Sequence, residues 1–195
     1  MPNNDFLVLL LPPSPTPETD ALATAWRIES GIALSVTPAD PRIDFERHWL
    51  RVYGDDAFCR DLAAEFDLVL ETPPDDLLEN LEPRWTAAQD GASTAQARAF
   101  IANGTVAACC IHAGDGSLAA ATGFAETFAG QIVAAPAFAV DLAQTDAGWK
   151  VKACLPAWSA PLLGCDPTGV AHALRYASRG ATRHEVRARR PRSEK

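Results

Sequence analysis

The chain has 195 residues, of which 48% are hydrophobic and 22% charged, proportions typical of one globular domain and not of a disordered chain. No segment approaches the roughly 20 apolar residues that span a bilayer. The apolar run at residues 6–11 follows an acidic residue and lacks the basic start of a signal peptide. These features predict a soluble, cytoplasmic protein without a membrane partner.

Charge is unevenly distributed along the chain. Residues 1–182 contain 11 basic and 23 acidic residues, a net charge of −12, whereas residues 183–195 contain six basic and two acidic residues, a net charge of +4. We therefore predict a single domain over residues 1–182 and a basic C-terminal tail over residues 183–195. The acidic domain disfavours nucleic acid as a partner, except through the tail. Candidate contacts for a protein partner, or for a second copy of the chain, are Arg187, Arg189, Arg190 and Arg192. A solvated terminus without a partner is the alternative.

The first predicted element is a buried strand at Phe6–Leu11. A helix follows, with Thr16 as its cap, Pro17 in its first turn and Gly31 after its end. Apolar residues at helical spacing predict further helices within Ile43–Leu70.

The segment from Ser93 to Gly104 combines two helix signals. Ser93-Thr94-Ala95-Gln96 matches a capping box, in which the first and fourth side chains satisfy each other's backbone donors. Asn103-Gly104 favours the left-handed backbone with which many helices end. We therefore predict a helix here, and a predominantly helical region over residues 16–104.

Residues 105–156 have a different character. Thr105–Ala113 is rich in strand-forming residues, and Phe138–Leu142 and Trp149–Leu155 flank a turn, which predicts a hairpin. The alanines of Ser117–Ala135 suit a helix, but its glycines disfavour one. A strand is the favoured interpretation of that segment, and a helix is the alternative.

Asp166-Pro167 begins the last predicted helix, and Gly180 follows its end. The predicted fold class is therefore α+β, with a helical N-terminal half, an antiparallel β-sheet in the C-terminal half and a closing C-terminal helix.

The sequence lacks the glycine-rich loops that bind dinucleotides and nucleoside triphosphates, so we predict no cofactor. Cys109 and Cys110 are adjacent in a predicted strand and would point to opposite faces, so they cannot chelate one metal ion together. Cys110 and His112 would share a face, with Cys154 as a candidate neighbour across the sheet. Packing of these cysteines as small hydrophobic side chains is the favoured interpretation, and no metal site is predicted.

Three residues are candidate catalytic residues: Cys165, His172 and His112. Cys165 precedes the last predicted helix, whose dipole favours a thiolate. His172 lies about two turns along that helix, too far to activate Cys165 directly, so His112 or His48 would have to act from elsewhere in the fold. An ordinary small residue in a loop is the alternative interpretation of Cys165.

Two classes of function are left open. Ile111-His112-Ala113-Gly114, with the alanine-rich run after it, resembles the thioesterases whose central helix is wrapped by a sheet, but the chain after it is too short for their remaining strands. A non-catalytic accessory or partner-binding protein is the favoured prediction, because no complete catalytic constellation is evident. The alternative is a small enzyme, an acyl-group or coenzyme A-type transferase or hydrolase with an unrecognised pocket.

Overall fold

The computed structural model describes residues 7–29, 31–37, 45–86, 93–132 and 135–189. In this part of the chain the strands are β1 (Leu7–Leu11), β2 (Gly31–Ser35), β3 (Leu50–Val52), β4 (Leu68–Leu70), β5 (Ala95–Ala102), β6 (Thr105–Gly114), β7 (Ala137–Thr145), β8 (Gly148–Pro156) and β9 (Ser178–Gly180). The α-helices are α1 (Pro17–Glu29), α2 (Asp56–Glu65), α3 (Leu118–Gln131), α4 (Pro167–Ala177) and α5 (Arg183–Arg189).

The N-terminal strands form a small parallel sheet in the order β2-β1-β3. All five residues of β1 are buried, because this strand is paired on both edges and covered on both faces. The helix α1 connects β1 to β2 and buries Leu22 and Trp26, and the Trp26 indole Nε1 donates a hydrogen bond to the Leu7 carbonyl oxygen at 3.3 Å. The strand predicted near residue 6 and the helix from Pro17 are confirmed.

A larger antiparallel sheet has the order β6-β5-β7-β8. β5 and β6 form a hairpin whose turn is Asn103-Gly104, with φ angles of 48° and 77°. Two consecutive positive φ angles are those of a type I′ turn, for which Asn-Gly is the preferred sequence. β7 and β8 form a second hairpin, which confirms the one predicted from Phe138–Leu142 and Trp149–Leu155.

The two faces of this sheet pack against different parts of the molecule. We call the face covered by α3 the outer face; it carries Ala97, Ala99, Ile101, Phe138, Val140, Leu142 and Val151. We call the opposite side the inner face; it carries Arg98, Phe100, Cys110, Ala139 and Asp141. The helix α4 packs on the inner face and also contacts α1 and β3, so it joins the two sheets.

The α+β class agrees with the structure, but the predicted helical N-terminal half is wrong. The described part of that half contains β1 to β5, and residues 95–102 form a strand instead of the predicted helix. The strand β5 pairs with β6 on one edge and β7 on the other along its whole length. Tertiary pairing therefore overrides its alanine-rich composition, and Asn103-Gly104 closes a hairpin with the positive φ angles that would also end a helix.

Two other segments also differ from expectation. Ile43–Leu70 contains α2, capped by the Asp55 side chain, but also a single 3₁₀ turn and the strands β3 and β4. Ser117–Ala135 contains the helix α3 and not the favoured strand, because the Ser117 side chain caps it at the Ala120 N–H, and Ala121, Ala125 and Phe128 bury one stripe against the outer face.

The C-terminal helix α4 begins after Asp166, whose carboxylate accepts hydrogen bonds from the Thr168 and Gly169 N–H groups. It ends at Ala177, earlier than the predicted stop near Gly180, because β9 pairs with β4 directly afterwards. None of the described helices is both long enough and apolar enough to span a membrane.

Candidate functional site

A charged pair lies in the middle of the inner face. Arg98 on β5 and Asp141 on β7 are directly paired in register, and their side chains form two parallel hydrogen bonds of 2.7 and 2.8 Å. The Arg98 side chain is only 5% exposed and the Asp141 side chain 22%. A buried guanidinium of this kind requires partners for its remaining donors, and Arg98 Nη1 donates to the Pro161 carbonyl oxygen at 2.7 Å.

The loop between β8 and α4 is held against this pair by several polar contacts. Arg98 holds its Pro161 carbonyl, and the Tyr53 hydroxyl donates to the neighbouring Ala160 carbonyl oxygen at 3.2 Å. The Leu163 N–H donates to a Glu18 carboxylate oxygen at 3.3 Å. Leu163 has a φ of 51°, an uncommon conformation for a residue with a branched side chain. Burial raises the pKa of Tyr53, which keeps this hydroxyl a donor.

Two thiols meet beneath the same loop. The Sγ atoms of Cys110 on β6 and Cys165, just before α4, are 2.6 Å apart, and both side chains are buried. Cys165 Sγ also donates to the Arg98 carbonyl oxygen at 3.4 Å, and Cys110 Sγ to the Leu163 carbonyl oxygen at 3.4 Å. All five cysteines are free thiols. The register confirms that Cys109 and Cys110 face opposite sides of the sheet, since they pair with Ala99 and Arg98 respectively.

Two lysines lie on the neighbouring strand β8. Lys150 pairs with Ala143, two residues along β7 from Asp141, so it shares the inner face. Lys152 is the extra residue of a β-bulge between the pairs formed by Asp141 and Leu142, and it is exposed. Lys150 Nζ donates to the Arg84 carbonyl oxygen. Gln96, Asp141 and Lys150 are all partly exposed, and we call this part of the inner face its open end.

The structure does not join the candidate catalytic residues to one another. Cys165 contacts Cys110, whereas His172 is exposed on α4 and packs edge-on against Tyr176, with ring centroids 5.7 Å apart. His112 is the extra residue of a bulge in β6, and His48 is exposed beside Trp49. Within the described ranges, no hydrogen bond connects any of these histidines to Cys165. The catalytic roles of Cys165, His172 and His112 stay predictions.

The predicted tail begins with the helix α5. The Arg179 guanidinium donates two hydrogen bonds to the Glu185 carboxylate, at 2.9 and 3.1 Å, and lowers the pKa of that carboxyl group. Arg190 and Arg192 lie outside the described residues, and the partner-binding roles of Arg187, Arg189, Arg190 and Arg192 stay predictions. In the part of the chain that is described, no group of three or more His, Cys, Asp and Glu side chains is arranged to hold a metal ion.

Comparison with known proteins identifies the class to which this fold and site belong. Residues 32–174 match a family described as an ATP-grasp domain, the third family of its clade, and this match covers well over half of the 195 residues. The chain therefore belongs to this ATP-grasp family. Among solved structures, the macrocyclase MdnB from Microcystis aeruginosa MRC is similar at 13% sequence identity and a TM-score of 0.46, over 87% of this chain and 99% of that one. No curated protein sequence matches the chain significantly.

Family membership changes the functional prediction. It supports a catalytic, ATP-grasp-type enzyme in place of the non-catalytic accessory protein that the sequence favoured, and it replaces the resemblance to thioesterases. Sequence reasoning also missed Arg98, Asp141, Lys150 and Lys152. The available signal was a single charged residue inside each of two apolar strands, at Arg98 and Asp141, which a buried ion pair explains.

Proposed function

We propose that this chain is an ATP-dependent enzyme that binds the ATP phosphates at the open end of the inner face, with Lys150 and Lys152 as their cationic partners. The observation that carries the proposal is the placement of these lysines. The chain has three lysines, and two of them lie two residues apart on one strand, beside the only stretch of the inner face that is charged and partly exposed among the described residues.

The chemistry of the two side chains suits a phosphate group. A lysine ammonium is a compact point charge with three donors, and lysine is a frequent phosphate ligand in proteins. Lys150 uses one donor on the Arg84 carbonyl oxygen, which fixes its direction and leaves two donors. A β-bulge re-aims the side chain of its extra residue, and here that residue is Lys152, which makes no ion pair with any described residue.

Arg98 has a different role in this proposal. Its guanidinium already has two bonds to Asp141 and one to the Pro161 carbonyl, so it does not have the free fork that a phosphate would occupy. We assign it the positioning of the loop between β8 and α4, which borders the open end. Cleavage of a phosphoanhydride depends mainly on positioning and on stabilising the developing negative charge, and the lysines supply the second of these.

The strongly acidic composition makes this placement more specific. Residues 1–182 carry a net charge of −12, which repels a triphosphate over most of the surface. Lys150 and Lys152 are a local exception to that charge. Binding should therefore depend on these two positions and should weaken with added salt, since exposed charges are screened over about 8 Å at physiological ionic strength.

The test is calorimetric titration with ATP, combined with an assay for release of ADP or AMP. We expect Lys150→Met and Lys152→Met each to weaken ATP binding about tenfold or more, since a hydrogen bond to a charged group contributes roughly 1.5–3 kcal/mol. The control is Lys195→Met, which removes the same charge from the last residue of the chain and should leave binding unchanged. A wild-type chain that does not bind ATP would contradict the function. Binding that neither strand variant weakens would contradict the site.

A further inference from the structure

The pair formed by Cys110 and Cys165 has no role in the proposed reaction, and it differs from the other cysteines of the chain. Its two sulfur atoms are 2.6 Å apart, although the residues are 55 positions apart in sequence. Cys109 and Cys154 lie on the outer face and Cys59 is buried in α2. The inner face therefore brings together one dithiol out of five cysteines.

The surroundings give the two thiols unequal acidity. The hydrogen bond from Cys165 and the nearby Arg98 guanidinium lower the pKa of Cys110 below its ordinary value, although burial opposes this. The hydrogen bond to Cys110, with burial, raises the pKa of Cys165. In contrast, burial raises the pKa of Cys154 to about 12 and also raises that of Cys109. The thiolate is the reactive form of cysteine, so Cys110 is the nucleophile of the pair.

We propose that Cys110 and Cys165 are a modification site, at which a peroxide oxidises the pair reversibly to a disulfide. The Cys110 thiolate attacks one peroxide oxygen, the O–O bond breaks, and the departing hydroxide takes a proton to become water. Cys110 is then a sulfenic acid. Cys165 attacks the Cys110 sulfur, its proton joins the departing hydroxide as a second water, and the S–S bond forms. One peroxide is reduced and two thiols are oxidised, and an external thiol reverses the step.

The position of the pair gives this modification a structural effect. A bond between Cys110 and Cys165 would tie β6 to the start of α4 and close a loop of about 55 residues, which constrains the unfolded chain and stabilises the folded one. Cys110 is 8% exposed and Cys165 2%, so the site admits small oxidants in preference to large ones. This inference does not rest on the ATP proposal, because it uses only the two thiols and their neighbours.

The experiment uses the full-length chain with the outer-face cysteines removed, Cys109→Ala and Cys154→Ala together. After treatment with hydrogen peroxide we expect the intact mass to fall by about 2 Da, and the melting temperature to rise by about 5 °C or more. Trypsin should then release one cross-linked product that joins residues 99–150, whose single cysteine is Cys110, to residues 153–175, whose single cysteine is Cys165. Dithiothreitol should reverse all three changes.

Two further variants control for the site. Cys110→Ala and Cys165→Ala, each in the otherwise native chain, should abolish the loss of 2 Da, whereas Cys59→Ala should not. If the double outer-face variant does not fold, the single variants Cys109→Ala and Cys154→Ala give the same readout. An unchanged mass with only sulfinic acid formed, or a cross-link that includes Cys59, Cys109 or Cys154, would overturn the proposal.

Discussion

The two faces of the four-stranded sheet use the same strands for different purposes. The outer face carries apolar side chains, and α3 covers it with Ala121, Ala125 and Phe128. The inner face carries a buried ion pair and a dithiol beside apolar residues, and α4 covers only part of it. Because side chains alternate along a strand, one sheet can hold a dry core on one side and reactive groups on the other. Stability should therefore depend most on the outer face, and chemistry on the inner one.

The largest effect should come from the outer face. Phe128 on α3 is fully buried and packs edge-on against Trp85, with ring centroids 5.5 Å apart. Phe128→Ala should lower the free energy of unfolding by roughly 3–5 kcal/mol, because it removes a large apolar group and leaves a cavity. Urea denaturation measures this loss. Phe124→Ala, at the half-buried edge of the same helix, is the matched control and should cost less. Equal losses would contradict a core centred on Phe128.

A smaller but more specific effect should come from the inner face. Arg98→Met leaves the Asp141 carboxylate without its partner, and breaking such a pair costs about 3 kcal/mol. The double variant Arg98→Met with Asp141→Leu removes both charges and should be more stable than Arg98→Met alone. Urea denaturation of the two single variants and the double variant forms a complete cycle. A double variant as unstable as the sum of the single variants would show that the two side chains do not act as a pair.

The predictability of the fold follows the same division between local and distant interactions. The hairpin of β7 and β8 was evident because its turn and its flanking apolar segments are contiguous in sequence. The strand β5 was not, since it is buried on both faces and paired on both edges, and its sequence Ala-Gln-Ala-Arg-Ala-Phe-Ile-Ala shows no simple alternation of apolar and polar residues. In α3, glycines disguised a helix whose buried stripe is supplied by alanines.

The candidate site was less predictable than the fold. Arg98 and Asp141 are 43 residues apart, and Cys110 and Cys165 are 55 apart, so only the strand register brings either pair together. Cys165 was identified for its position before a helix, but its neighbour proved to be Cys110 and not a histidine. The family match also corrects an inference from absent motifs, because a chain without a glycine-rich phosphate loop belongs to an ATP-grasp family.

The smallest expected effects distinguish the two helices that cover the sheet. Gly169 in α4 lies so close to β6 that an added Cβ would be 2.1 Å from the Ala107 carbonyl oxygen, which is backbone and cannot rotate away. Gly169→Ala should therefore push α4 off the inner face and cost about 1–3 kcal/mol of unfolding free energy. Gly123 in α3 has no atom within 4 Å of its added Cβ, so Gly123→Ala should instead stabilise the chain by about 0.5–1 kcal/mol, through the better helix propensity of alanine. Thermal and urea denaturation of both variants measure these opposite signs. A stabilising Gly169→Ala would mean that α4 does not approach the sheet as closely as described, and the contrast between a tightly seated inner helix and a loosely seated outer one would fail.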